Sequence, residues 1–196
     1  MIKRVFDIIL SALGLILLSP LFLVLAIAIA TDSPGGIFYR QTRVGKNGHP
    51  FRIFKFRSMR SGSDKKGQLT VGSTDQRITR TGRFIRKHKL DEFPQLINVL
   101  KGDMSLVGPR PEVPKYVAMY NDEQKKVLSV RPGITDYASI EYANENDLLS
   151  SSSNPEKTYI DEVMPAKLEL NKKYISEAGL GTDIKLIFRT LGKVFK

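Results

Sequence analysis

A run of 23 uncharged residues, from Ile8 to Ala30, limits most strongly what this chain can fold into. A helix needs about 20 apolar residues to cross the hydrocarbon core of a bilayer, so the run predicts a helix in lipid. A cleaved signal peptide is an alternative, but its apolar region is usually about 7–15 residues long. We therefore expect the segment to remain in the chain as a membrane helix.

The charges that flank this segment argue against a simple crossing. Lys3 and Arg4 precede it and three further cations follow at positions 40–46, and such charges favour the cytoplasmic side of a membrane. Ser19-Pro20 lies halfway along, where a proline removes one backbone donor and disturbs the helix. The pattern predicts a re-entrant helix that enters one leaflet, bends at Ser19-Pro20 and returns. A straight spanning helix is the alternative.

The net charge of +11 is concentrated in one part of the chain. Residues 32–110 hold 17 Lys and Arg against 6 Asp and Glu. In the parts of the chain before and after them, the positive and negative charges nearly cancel. Such a field attracts anionic lipids, phosphorylated small molecules or nucleic acid without choosing among them. The absence of cysteine excludes a disulfide framework, a thiolate metal site and a thiol nucleophile.

Residue patterns predict a helix-rich α+β chain in two parts. Residues 1–31 form the membrane helix, and residues 32–196 form a small cytoplasmic domain. The predicted elements are a strand at 51–57, a loop at 61–75 and helices at 77–87, 91–100, 114–127 and 156–175, the last interrupted or restarted at Pro165. A final amphipathic helix places Ile184, Ile187, Phe188, Leu191 and Phe195 on one face, which suits either a membrane interface or packing on the core.

Asp91 and Glu92 are the sharpest local feature, because two adjacent carboxylates open a predicted helix directly after the basic run 86–89. Acidic residues at a helix start ordinarily cap the helix and complement its dipole. The basic surroundings favour a second interpretation, since nearby cations lower carboxylate pKa values, and an ionised pair can hold Mg²⁺ or attack phosphorus.

Two arginines in rigid turns indicate further anion contacts. Arg110 stands between Pro109 and Pro111, and Arg131 begins the turn at 131–135. A guanidinium on a restricted backbone suits two-point binding of phosphate. Turns of this composition are also commonly structural.

Taken together, the motifs resemble the bacterial sugar transferase family, the small monotopic phosphoglycosyl transferases. The residues that carry the resemblance are Lys3-Arg4 with Asp7, the break at Ser19-Pro20, Gln41-x-Arg43-x-Gly45, the segment 54–59, the long motif 90–105, Gly108-Pro109-Arg110-Pro111 and the turn 131–135.

The resemblance implies transfer of a sugar 1-phosphate from a UDP-sugar to undecaprenyl phosphate, with loss of UMP. Asp91 would be the nucleophile that forms a covalent phosphosugar intermediate, with Glu92 as its partner in the dyad and Mg²⁺ bound at Asp91. Phosphate or nucleotide contacts are implied for Arg86, Arg110, Pro109 and Pro111, and more weakly for Lys55, Arg57 and Arg131. The implied location is the cytoplasmic face of the bacterial inner membrane.

The chain departs from the family pattern after the turn 131–135, and we interpret residues 136–146 as a region that selects the sugar or the nucleotide, while the role of the whole segment 136–154 is left open. The sequence leaves open which sugar and which glycan pathway are served, and whether the chain forms a homodimer. A nucleic-acid partner is not expected. The alternative function is a non-catalytic membrane-tethered binding or scaffold protein, in which substitution of the dyad would change nothing.

Overall fold

The first element, α1 (Ile2–Asp32), is one helix of 31 residues that contains the whole apolar run. The structure is a computed structural model that describes residues 2–63 and 75–194. At 1.5 Å per residue the helix is about 46 Å long, and its length and hydropathy are sufficient to cross a membrane. The predicted apolar helix is confirmed, whereas its path through lipid stays a prediction.

Ser19 and Pro20 lie inside α1 and the helix continues through them. Because Pro20 has no N–H, the carbonyl of Ile16, four residues earlier, loses its usual helical donor. The Ser19 hydroxyl donates a hydrogen bond to this same carbonyl oxygen at 2.8 Å. The Ser-Pro pair therefore supplies its own replacement donor, which an apolar environment requires.

Two small sheets and nine further helices make up the rest of the described chain. Strands β1 (Phe38–Val44) and β2 (Pro50–Phe56) form an antiparallel hairpin, and β3 (Ser105–Val107) pairs in parallel with β4 (Gly133–Thr135). The helices are α2 (Arg80–Lys87), α3 (Gln95–Lys101), α4 (Pro114–Val117), α5 (Asp122–Lys125), α6 (Tyr137–Glu141), α7 (Glu145–Ser150), α8 (Pro155–Thr158), α9 (Met164–Ser176) and α10 (Leu180–Val194).

These elements confirm the predicted helix-rich α+β class and refine several predicted bounds. The strand predicted at 51–57 is β2, while the helix predicted at 114–127 is divided into α4, α5 and a 3₁₀ turn, Lys126–Ser129. A π-helical segment, Tyr159–Val163, joins α8 to α9, and Pro165 lies in the first turn of α9, so the expected restart of the helix near Pro165 is confirmed. Most of the loop predicted at 61–75 lies outside the described residues.

The N-terminal end of α1 is attached to the rest of the chain by charged side chains. The Lys3 ammonium lies 2.5 Å from the carboxylate of Asp183 in α10, and Arg4 donates to two carbonyl oxygens at the end of α3. Asp7 is buried and accepts a hydrogen bond of 2.9 Å from the Ser105 hydroxyl at the start of β3. This end therefore has a fixed position on the domain.

The C-terminal end of α1 is attached to the same domain. Arg57 donates to the carbonyl oxygen of Ile29 at 3.2 Å, and the Thr81 hydroxyl donates to that of Ala28 at 3.4 Å. The Asp32 carboxylate accepts a hydrogen bond from the Thr81 N–H at 2.7 Å. Both ends of α1 consequently contact one folded body.

Between its ends, α1 leaves an apolar face uncovered. Ile16 and Leu17 are 69% and 77% exposed, and several other aliphatic side chains of the helix are also exposed. A contiguous apolar face of this size is typical of a surface that contacts membrane or protein.

The C-terminal helix α10 differs from the single apolar face that the sequence predicted. Leu186 is fully buried and Ile187 packs against the same cluster, whereas Ile184, Phe188 and Leu191 are exposed. Phe195 lies outside the described residues. The helix thus packs on the core with one side, which confirms that interpretation, and its contact with a membrane interface stays a prediction.

Packing between β2 and α3 supports the dyad segment. Val99 and Met104 are fully buried against Ile53. The side-chain amide of Asn98 accepts a hydrogen bond from the N–H of Phe54 at 2.8 Å and donates to the carbonyl of Arg52 at 2.9 Å. These contacts fix α3 on the strand, and therefore fix the residues that precede it.

Candidate active site

The two acidic residues lie on a 3₁₀ turn, Leu90–Glu92, that precedes α3. The expectation that they open the α-helix itself was wrong, because Lys89 adopts a left-handed conformation with a φ of 55° and the α-helix begins only at Gln95, after Pro94. Leu90 packs against the cluster that includes Leu25 and Ile29 of α1. The turn therefore places the carboxylates beside α1.

Glu92 is held by two cations. Its Oε1 accepts a hydrogen bond from Lys55 Nζ at 2.8 Å, and its two oxygens accept from both terminal nitrogens of Arg110, the Oε2 contact measuring 3.1 Å. Burial acts to raise the pKa of Glu92, but the charges and hydrogen bonds of Arg110 and Lys55 outweigh it and hold that pKa well below its usual range. Glu92 is thus an ionised anchor.

Asp91 differs from Glu92 both in the partners of its carboxylate and in the direction of its pKa shift. It is buried, and among the described residues no group donates a hydrogen bond to its carboxylate or forms an ion pair with it. Burial, together with the negative charge of Glu92, raises the pKa of Asp91 against the opposing charges of Lys55, Arg86 and Arg110. The expectation that cations lower both pKa values therefore describes only Glu92.

Arg110 occupies a loop whose backbone is fixed by close approach to the turn at 131–133. The N–H of Gly108 donates to the carbonyl of Thr135 at 3.0 Å, and the N–H of Gly133 donates to that of Pro109 at 2.9 Å. A Cβ on Gly108 or Gly133 would overlap the other segment's backbone, so both positions require glycine. Pro109 and Pro111 flank Arg110 in this loop, and their predicted role in shaping the site stays a prediction.

A second network lies behind Arg110. Arg43 donates to the carbonyl of Pro111 at 3.1 Å and to Oε1 of Glu112 at 3.3 Å. The hydroxyl of Tyr159, on the π-helical segment, donates to the other carboxylate oxygen of Glu112. Burial and the charge of Glu112 raise the pKa of Tyr159, which keeps the phenol protonated as a donor.

Comparison with known proteins identifies the family. The family described as "Bacterial sugar transferase" matches residues 1–196. The UDP-glucose:undecaprenyl-phosphate glucose-1-phosphate transferase of Escherichia coli K12 is 37% identical over 203 residues, covering 100% of this chain and 40% of that protein.

This chain belongs to the bacterial sugar transferase family. The UDP-N-acetylgalactosamine-undecaprenyl-phosphate N-acetylgalactosaminephosphotransferase of Aeromonas hydrophila is 39% identical, covering 97% of this chain and 43% of that protein. The uncharacterised sugar transferase EpsL of Bacillus subtilis is 37% identical, covering 98% of this chain and 87% of that protein. The chain thus spans about two fifths of the first two relatives and most of the third.

Among the residues predicted to contact anions, three lie near the dyad. Lys55 and Arg110 bind Glu92 directly. Arg86, in the last turn of α2, is half-buried, and its charge acts on Asp91. The sequence did not indicate that Lys55 and Arg110 would form ion pairs with Glu92.

Two other residues predicted to contact anions, Arg57 and Arg131, donate hydrogen bonds to backbone carbonyl oxygens. Arg57 is buried and donates to carbonyl oxygens at the end of α1, those of Ile29 and Ser33 at 3.2 and 2.7 Å, so it holds the end of this helix. Its expected anion contact is replaced by this capping role, because the exposed carbonyls of a helix end attract a guanidinium. Arg131 donates through Nε to the carbonyl of Gly102 at 2.9 Å, beyond the other end of α3.

Sequence reasoning missed the network of Arg43, Glu112 and Tyr159. Arg43 appeared in a family motif without a role, and neither Glu112 nor Tyr159 was singled out. Nothing local marks them, since the contact joins positions that are 47 residues apart. Only the long-range packing of the π-helical segment brings them together.

The segment that departs from the family pattern lies near Arg110. Asp136 is buried and caps α6 by accepting from the Ser139 N–H at 2.7 Å, and Lys89 donates to the carbonyl of Ala143 at 3.4 Å. After Glu92, the charges of Glu145 and Asp136 also raise the pKa of Arg110. Residues 136–145 therefore lie within electrostatic reach of the site.

A divalent cation could be held here by one carboxylate. Within 2–63 and 75–194, no group of three or more His, Cys, Asp or Glu residues is arranged to hold a metal ion. Mg²⁺ is commonly bound by one or two carboxylates together with substrate phosphates. Asp91 has free oxygens while those of Glu92 are occupied, so the residues present fit a Mg²⁺ that arrives with a phosphorylated substrate.

Proposed function

We propose that this chain transfers a sugar 1-phosphate from a UDP-sugar to undecaprenyl phosphate and releases UMP. The observation that supports it most directly is the unpaired carboxylate of Asp91 next to an ionised and fully occupied Glu92. The names of the E. coli and Aeromonas relatives describe this class of reaction for those proteins.

In the first step, a carboxylate oxygen of Asp91 attacks the phosphorus that carries the sugar. The new O–P bond replaces the bond to the bridging oxygen, and that bond's electron pair leaves with UMP. In the second step, a phosphate oxygen of undecaprenyl phosphate attacks the same phosphorus, and the Asp91 carboxylate departs. Sugar diphosphate-undecaprenol is the product, and two displacements at one carboxylate give ping-pong kinetics.

The cations around Asp91 serve charge stabilisation and positioning. Arg110 and Lys55 are fixed by Glu92, so their remaining N–H groups are oriented before substrate arrives, which lowers the cost of stabilising developing negative charge. Arg86 adds a third positive charge near Asp91. Bound Mg²⁺ would neutralise phosphate charge at Asp91.

We propose that α1 lies in one leaflet, with the domain on the cytoplasmic face of the inner membrane. Both ends of α1 contact the same body, through Lys3 and Arg4 at one end and Arg57 at the other. A helix crossing the bilayer would carry one of these polar attachments into or across the hydrocarbon, which is costly. The division into residues 1–31 and 32–196 rests on the same placement.

The reaction is tested by measuring UMP release from a panel of UDP-sugars with undecaprenyl phosphate in detergent. Asp91→Asn should abolish release at an unchanged melting temperature, and removal of Mg²⁺ by a chelator should do the same. Asp103→Asn is the matched control, because Asp103 lies beyond the opposite end of α3. Equal rates in the wild type and Asp91→Asn would contradict the role of Asp91, and no UMP release by the wild type with any UDP-sugar would favour the non-catalytic scaffold.

A further inference from the structure

A basic groove lies at the end of α3 opposite to the dyad. It has a volume of about 250 Å³ and is lined in part by Lys46, His49, Phe51 and Arg131. The dyad precedes the first residue of α3, whereas the groove is lined by Gly102 and Asp103, which follow its last residue. The seven residues of α3 separate the two by about 10 Å, so the groove is distinct from the candidate active site.

The cations of this groove are available for an anion. Arg131 is oriented by the hydrogen bond from its Nε to the Gly102 carbonyl, which leaves its two terminal nitrogens free. Within the part of the chain that the structure describes, neither Arg131 nor Lys46 forms an ion pair. The carboxylate of the groove, Asp103, lies 3.6 Å from Lys101 and also accepts from Asn98 at 3.2 Å. Its charge is thus partly neutralised by other residues.

The groove also lies beside the first turn of α1. A Cβ on Gly102 would be 3.4 Å from the guanidinium of Arg4, which binds the last carbonyls of α3. In the same turn, Ile2 and Val5 present exposed apolar side chains. A ligand bound here would therefore meet the guanidinium of Arg131 and the ammonium of Lys46 close to the first turn of the apolar helix α1.

We propose that this groove binds the phosphate of an anionic phospholipid head group, with the acyl chains beside the first turn of α1. A guanidinium held by one hydrogen bond presents its other N–H groups to phosphate oxygens in a two-point contact. Lys46 adds a second positive charge beside the phosphate, and His49 adds a ring nitrogen that can contact it. The inference does not depend on the proposed transferase reaction.

Histidine signals provide a direct test, because the chain has two histidines and only His49 lines the groove. The full chain, with ¹³C-labelled histidine and in a neutral detergent, is titrated with dihexanoyl phosphatidylglycerol. We expect a saturable shift of the His49 signal and none of the His88 signal. The same titration on Asp91→Asn should be unchanged, which separates this inference from the transferase proposal.

Substitutions of the two groove cations test whether they bind the phosphate. Arg131→Ala and Lys46→Ala should each weaken the apparent affinity by about tenfold, since each removes a charged hydrogen bond. Lys157→Ala, an exposed cation on α8, is the charge-matched control and should bind as the wild type does. Lys46→Ala also protects the test against misfolding, because the exposed Lys46 side chain forms no hydrogen bond or ion pair with the residues that the structure describes.

Three results would overturn the proposal. One is no shift of His49, or an equal shift with dihexanoyl phosphatidylcholine. Another is an equal shift with inorganic phosphate at the same concentration, which would indicate a site for soluble phosphate. The third is wild-type affinity in Lys46→Ala.

Discussion

Glu92 and Arg110 form a two-point ion pair, in which both carboxylate oxygens accept from the two terminal nitrogens of the guanidinium. The pair lies next to Asp91, which has no such partner among the described residues. One member of the acidic dyad therefore orients cations, and the other is free to react. This division explains why two adjacent carboxylates in one basic site can have opposite pKa shifts.

Arg110→Lys should lower kcat for UMP release by about 10- to 100-fold while the protein remains folded. Lysine retains the charge but cannot make the two-point contact with Glu92, so the cation is no longer fixed for the transition state. Steady-state kinetics with a UDP-sugar measure the change, and circular dichroism checks the fold. A rate within twofold of the wild type would show that the two-point geometry is dispensable.

Tyr159→Phe should lower kcat by about fivefold or more and cost about 1 kcal/mol of unfolding free energy, because Glu112 loses a donor behind Arg110. Tyr116→Phe is the matched control, since both rings are buried in one cluster and lie 4.9 Å apart, but the Tyr116 hydroxyl has no hydrogen-bond partner in the described part of the chain. Rates and denaturation midpoints measure both variants. Equal effects of the two substitutions would contradict a positioning role for Tyr159.

Arg57→Lys should reduce the unfolding free energy by about 2 kcal/mol without changing KM for the UDP-sugar. Arg57 holds several carbonyl oxygens at the end of α1, and lysine cannot reach them from one position. Thermal unfolding in detergent gives the stability, and UMP release gives KM. A raised KM at unchanged stability would restore the anion-contact role that the sequence suggested.

The stability of the wild type should fall relative to Asp136→Asn as the pH rises from about 4 to 8. Burial raises the pKa of Asp136 against the hydrogen bond from Ser139. An aspartate with a raised folded-state pKa contributes stability below its unfolded-state value and loses it as pH rises through the folded-state value. Asparagine can cap α6 in the same way. Melting temperatures of both proteins across this range measure the difference, and a constant difference would contradict the shift.

Cysteine labelling in intact spheroplasts tests the placement of α1, since the chain has no cysteine of its own. Cysteines introduced at Ile2 and at Lys46 should both be shielded from a membrane-impermeant maleimide, and both should react after lysis. One exposed and one shielded cysteine would show that α1 crosses the membrane.

The features that could be predicted from the sequence were those fixed by short-range patterns. The apolar run predicted α1, the aromatic run at 51–57 predicted β2, and motif order identified the family before any contact was known. The roles of Arg57 and Tyr159 could not be predicted, because each depends on a partner distant in sequence. The opposite pKa shifts of Asp91 and Glu92 also require the positions of Lys55 and Arg110, which spacing does not give.

The most direct test of the central claim is mass spectrometry of the chain quenched after reaction with a UDP-sugar in the absence of undecaprenyl phosphate, where only the first displacement can occur. The account predicts one sugar phosphate per chain, attached to the peptide that contains Asp91 and lost when undecaprenyl phosphate is added. An adduct on another residue, or full activity with alanine at this position, would contradict it.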